Sequence, residues 1–196
     1  LNGGNTAFST NFLNATIIVA PLNDAPVVVN AADFIFPDQL EDDFLPVGTA
    51  VSNLLASLGG TQVTDVDGDL VAIAVNATDL ANAVWAISTN GGASYVNVGV
   101  VSAASARLLA PDALIRFIPT ANFFGSSTIG FRGWDQTAGT NTGFGNTTVN
   151  GGTTAFSALI ATGRVVVLDV NEAPLLNSGA TMTLSPIQAN DFTSAG

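Results

Sequence analysis

Apolar residues in this chain come in short bursts rich in Val, Ile, Phe and Thr, separated by clusters of Gly, Asn, Asp and Pro. Branched and aromatic side chains suit a pleated, half-buried surface, and the punctuating residues supply turns, so the pattern is that of an all-β chain. Strands are expected at 16–19, 27–30, 33–36, 70–75, 83–87, 94–98, 113–118, 128–133 and 163–168. A helical period is nowhere sustained. Residues 51–58 fit either a short helix or a bulged strand, and 101–109 fit one helical turn. A hairpin is expected between Trp85 and Tyr95, with Asn90-Gly91 supplying positive φ angles and the two aromatic rings pairing across the arms. Residues 137–150 are nearly all Thr, Gly and Asn, with Phe144 the one large apolar side chain, and read as a long exposed loop without a core of its own.

The strand pattern repeats. Asn2-Gly3-Gly4-Asn5-Thr6-Ala7-Phe8-Ser9 matches Asn150-Gly151-Gly152-Thr153-Thr154-Ala155-Phe156-Ser157. At the same offset, and without a gap, Ile17-Ile18-Val19 matches Val165-Val166-Val167, and Asn23-Asp24-Ala25-Pro26 matches Asn171-Glu172-Ala173-Pro174. Further on, Asn190-Asp191-Phe192 and Gly196 track Asp42-Asp43-Phe44 and Gly48. The spacing is that of a whole domain, not of a solenoid unit. Residues 1–26 then read as the closing strand and linker of one repeat, 27–173 as a complete repeat, and 174–196 as the start of another. The apolar strand at 15–20 belongs to the first of these. Either a longer polypeptide supplies the rest of its domain, or the strand adds to the sheet of a neighbour.

Composition narrows the chemistry. The chain has no cysteine and no histidine, which removes disulfides, thiolate zinc sites and the commonest general base. Arg107, Arg116, Arg132 and Arg164 are its only basic residues against fifteen acids, for a net charge of −11. Such a balance argues against nucleic acid and anionic membranes as partners. Charged residues make up only 10% of the chain, and Asn, Thr, Ser, Ala and Gly fill the deficit. A surface of that kind tolerates close packing against copies of itself. No apolar run approaches the roughly 20 residues of a membrane span.

Asp65-Val66-Asp67-Gly68-Asp69 is the most suggestive polar motif. Alternating carboxylates around a glycine let one loop turn several oxygens toward a hard cation that takes six to eight of them. Asn76 stands where an EF-hand would need a glutamate, so the remaining ligands must come from elsewhere.

Asp169-Val170-Asn171-Glu172-Ala173-Pro174 resembles the linker between successive cadherin repeats, in the variant found in bacterial surface adhesins. Pro119, Phe123, Gly125, Ile129, Phe131, Asp135 and Gly139 resemble the pattern late in those domains. The resemblance implies a Greek-key β-sandwich, cadherin-like or Ig-like, stacked end to end in a tandem array with calcium near the junctions. It implies that Glu41, Asp67, Asp69, Asp169 and Asn171 meet at the C-terminal end of the domain, while Asp135 faces Asn23 and Asp24 at the other. Pro21 stands where the later linker has Asp169, and Ala189 where the next repeat would need Glu41, so the junctions do not share one ligand set. The Trp85–Tyr95 segment separately resembles the structural Asp-box hairpin of sialidases, with Ser88, Gly92, Ser94 and Tyr95 in place and Asn90 where that family has aspartate.

These readings point to a non-enzymatic structural repeat of an extracellular bacterial fibre or giant cell-surface adhesin, with neighbouring copies of the repeat as partners and calcium as cofactor. The alternative is an adhesive module that stacks cell-surface glycans on Trp85, Tyr95 and Trp134. Hydrolysis by a carboxylate pair drawn from Asp65, Asp67 and Asp135 would need two of them brought together across a cleft with one pKa raised, which nothing in the sequence dictates. Of the sequons at Asn14, Asn76 and Asn146, only Asn146 lies on an expected loop.

Overall fold

The computed structural model describes residues 3–29, 33–176 and 178–183. Asn30 and the repeat matches at Ala189, 190–192 and Gly196 lie outside the described residues. In chain order the strands are β1 (Val27–Val28), β2 (Asp33–Ile35), β3 (Gln39–Leu40), β4 (Thr49–Ala50), β5 (Val63–Thr64), β6 (Ala72–Thr78), β7 (Ala83–Ser88), β8 (Val96–Asn97), β9 (Ala106–Leu109), β10 (Leu114–Pro119), β11 (Gly125–Trp134), β12 (Phe144–Gly145) and β13 (Ala161–Leu168). One short helix, α1 (Val51–Ala56), follows β4 and buries Val51 and Leu54.

The larger sheet runs β12-β9-β6-β11-β13-β2, with β3 also on β13, and the smaller runs β4-β10-β7-β8. A two-stranded ribbon joins β1 to β5. Pairing is antiparallel except where β13 meets β2 and β3. The two main sheets enclose an apolar core, giving a β-sandwich-like all-β fold.

Alternation decides which face is inside. In β10, Ile115, Phe117 and Pro119 are buried while Leu114, Arg116 and Ile118 are partly exposed; β13 follows the same rule. Trp85 of β7 bridges the sheets, with ring centroids 5.3 Å from Phe36 and 5.0 Å from Phe117, and Phe34 lies 5.4 Å from Phe131.

Strand β6 breaks the alternation because it is covered on both sides. Ile73 and Val75 face the main core, and Ala72 and Ala74 face a second cluster with Ala106, Leu108, Trp134, Ala155 and Phe156. Segment 137–150 contributes nothing to this second cluster and is mostly exposed, as expected, but it is not wholly a loop. The segment carries β12, which pairs with β9, and Phe144 lies under the Arg107 guanidinium, 4.6 Å from ring centroid to Cζ. Thr147 is fully buried, its hydroxyl and amide both donating to the Ala103 carbonyl. The apolar partners are Trp134 and Phe156 from beyond the segment.

Three further expectations fail. Residues 16–19 form no strand and lie exposed. Residues 101–109 make a Ser102–Ser105 bridge leading into β9, not a helical turn. Trp85 does not pair with Tyr95: the register sets Ala86 against Asn97 and Ile87 against Val96, and the Val98 amide donates to the Trp85 carbonyl. Positive φ angles fall on Gly91 and Gly92, not Asn90. Asn90 instead braces the turn, its Oδ1 accepting from the Ser88 hydroxyl (2.8 Å) and the Ser94 amide (3.0 Å).

Candidate functional site at the linker and acidic loop

Strand register places the acidic groups. Trp134 at the end of β11 pairs with Ala72 at the start of β6, so the residues after β11 lie beside the loop that precedes β6. Asp135 therefore joins Asp65, Asp67 and Asp69 at one end of the sandwich.

Within the loop, Gly68 adopts a φ of 83°, which lets the chain double back, and the Asp67 amide donates to Asp65 Oδ1 at 2.9 Å. Carboxylate oxygens of Asp65, Asp67 and Asp69 then lie within 4.8 Å of one another. Asp135 is buried; its Oδ1 accepts from the Thr137 amide (2.8 Å) and hydroxyl (2.6 Å). The linker closes over this group. Asn23 Nδ2 donates to Asp135 Oδ2 at 2.9 Å, the Asp24 amide donates to Asp67 Oδ2 at 2.7 Å, and the Ala25 amide donates to the Gly152 carbonyl at 2.7 Å.

Burial raises the Asp65 carboxyl pKa above its ordinary value, with the charges of Asp69, Asp135 and Asp67 adding to the effect and the hydrogen bond from the Asp67 amide opposing it. Asp65 Oδ2 is buried and accepts no hydrogen bond.

Glu41, Asp169 and Asn171 are at the opposite end. Strand β3 runs parallel to β13 with Leu40 beside Leu168, which brings Glu41 to the point where the chain leaves β13. Glu41 is buried, at 2% exposure; its Oε1 accepts from the Val170 amide at 2.7 Å, and its own amide donates to the Leu168 carbonyl at 3.1 Å. Asp169 and Asn171 are exposed. The seven candidates thus divide into two groups, Asp65, Asp67, Asp69 and Asp135 at one end and Glu41, Asp169 and Asn171 at the other. The expectation that Asp67 and Asp69 join Glu41 is corrected by the β6–β11 register, which fixes their loop at the far end.

The first group presents oxygen ligands of the kind a hard cation takes, and the orphaned Asp65 Oδ2 is one such ligand. The structure also brings Asp65, Asp67 and Asp135 together with one pKa raised, which the sequence did not dictate. Residues 23 and 24 hydrogen-bond to two of them, Asp135 and Asp67. The tryptophans expected to stack sugars are buried, Trp85 and Trp134 each at 1% exposure, and one face of Tyr95 is taken by Arg116, its Cζ 3.7 Å from the ring centroid. Asn76 is buried in β6, while Asn146 is exposed with its Oδ1 accepting from the amide and hydroxyl of Thr148. Thr137 and the Glu41–Val170 contact were not singled out in the sequence, where no spacing rule marks either.

No family model, no curated protein and no solved structure matches this chain.

Proposed function

We propose that residues 27–173 are one cadherin-like, Greek-key repeat of an extracellular fibre or giant surface adhesin, joined end to end to neighbours of the same architecture. Residues 1–26 would close the preceding repeat and 174–196 open the next. The observation that carries this reading is how the two copies of the linker are held. In the later copy, Val170 is fastened to the domain it leaves, through Glu41. In the earlier copy, Asn23 is fastened to the domain it approaches, through Asp135. Asn23 and Asn171 hold the same repeat position, so in a continuous array Val170 would be fastened to one domain and Asn171 to the next. A junction with no free residue between its anchors transmits direction from one domain to the next.

Calcium fits the reading. Asp65, Asp67, Asp69 and Asp135 would hold it, with Asn23 from the linker, and the ion would neutralise a cluster of like charges that adds to the effect of burial in raising the Asp65 pKa. Glu41, Asp169 and Asn171 would serve the following junction. The linker amides lying on Asp67 and Asp135 favour a structural role for these carboxylates over a hydrolytic one.

Electron microscopy of the native material, with and without a calcium chelator, tests the function. Filaments with a repeat of one domain length are expected, bending or fraying in chelator. Compact isolated particles would overturn the array, and filaments indifferent to chelator would overturn the role of calcium.

A further inference from the structure

Segment 13–20, which pairs with no strand among the described residues, and β13 hold the same repeat positions, yet their inward faces differ in size. In β13 the buried positions are Ala161, Gly163, Val165 and Val167. At the matching positions the segment carries Leu13, Ala15, Ile17 and Val19. Three of the four are larger, and at Gly163 the slot of this domain is already tight. A Cβ added to Gly163 would lie 2.9 Å from Phe36 Cε2, closer than carbon atoms pack, and 3.1 Å from Ile129 Cγ1, a contact that needs Ile129 to give by a few tenths of an ångström. Phe36 is itself held against Trp85 and buried. Ala161 and Val165 are fully buried in the same core. On the outward face, Thr16 replaces Arg164, whose Nε lies 3.1 Å from Asp33 Oδ2.

We propose that segment 13–20 is keyed by side-chain size to one partner: a preceding sandwich repeat of the same architecture, with smaller side chains where this domain has Phe36, Ile129 and the neighbours of Ala161. The slot between β11 and β2–β3 of residues 27–173 refuses it. The proposal rests on the tandem-repeat reading and adds selectivity to it. Repeats strung on one chain are at high local concentration, and closing strands of one pattern could exchange among them; unequal slots keep each strand with its own domain.

Transplanting the segment's inward face tests the slot. In the full chain, Ala161→Leu, Gly163→Ala and Val165→Ile together should lower Tm by at least about 10 °C, because each adds carbon to a filled core. A smaller shift overturns the keying. Should the triple variant fail to fold, Gly163→Ala alone decides: a Tm lower by about 3 °C or more supports the proposal, and an unchanged Tm overturns it. Sedimentation of the wild-type chain, unfolded and refolded at high concentration, should show monomer. Oligomers that vanish when residues 3–20 are deleted would overturn the keying and leave the repeat reading intact. A parent polypeptide with no sandwich repeat upstream would sink that reading without touching the β13 result.

Discussion

The segments 20–26 and 168–174, which align at the repeat offset and are read here as linkers, lie in different company. The earlier lies on the acidic loop of the domain it approaches; the later departs from the buried Glu41 of the domain it leaves. What differs between them is the carboxylate on offer. Around the first linker the acids are crowded, and Asp65 carries a raised pKa. At the second, one buried carboxylate receives one backbone amide and its chain returns the favour to Leu168. One end of the domain thus has one buried, hydrogen-bonded carboxylate where the chain leaves, and the other has Asp65, Asp67, Asp69 and Asp135 gathered beside the chain that arrives.

The comparison can be broken most severely at Asp135. Replacing it by alanine strands the Thr137 amide and frees Asn23, and should cost about 3 kcal/mol in chemical denaturation, while loosening the earlier linker to proteolysis near Pro21. Glu41→Ala should cost about 2 kcal/mol by leaving the Val170 amide without its acceptor, whereas Glu41→Gln, which keeps the acceptor, should cost less than about 1 kcal/mol. If alanine and glutamine behave alike, Glu41 acts through its charge and not through this bond.

Asp65 sharpens the contrast through pH. A folded-state pKa above the ordinary 3.8 means that the folded chain binds the proton more tightly than the unfolded one. Its contribution to stability is therefore fully present below 3.8 and is lost as pH rises through the raised value. Asp65→Asn should flatten the pH dependence of melting in that window and raise Tm at neutral pH without divalent cations. Calcium should raise the Tm of the wild type and do so less for the variant; equal responses would take Asp65 out of the ligand set. The smallest effect is expected from Pro21→Asp, which copies Asp169 into the earlier linker. The exposed position predicts a stability change within about 0.5 kcal/mol, so any gain in calcium affinity would be read cleanly by titration calorimetry.

Much of the sheet was legible because β2, β6, β7, β10, β11 and β13 carry branched and aromatic residues in strand-length runs. The two-residue strands β3, β4, β5 and β12 were not, since a pair of residues holds no period; β3, β4 and β12 exist because longer neighbours offer an edge, and β5 pairs with the equally short β1. Residues 16–19 mislead for the opposite reason. Ile17-Ile18-Val19 has the sequence of a strand and no partner among the described residues, with Ile17 88% exposed. The second core was hidden because its large members, Trp134 and Phe156, flank the polar segment they cover, and its floor is made of alanines that look featureless in sequence. At the candidate site, the grouping of Asp65, Asp67 and Asp69 followed from spacing. Their position beside Asp135 did not, because the β6–β11 register sets it.

The parallel pairing of β13 with β2 and β3 bears on how the domain would carry load. The chain enters beside Asp135 and leaves beside Glu41, at opposite ends, so a pull on both linkers drags β13 one way and the first strands the other. Thr162 beside Asp33, Gly163 beside Phe34, Arg164 beside Ile35 and Leu168 beside Leu40 would then be strained in shear, together and not in succession. A ladder loaded that way resists until many bonds give at once, whereas a hairpin peeled from its end yields one bond at a time. In such an array, the strand that closes the sandwich would also be its mechanical clamp.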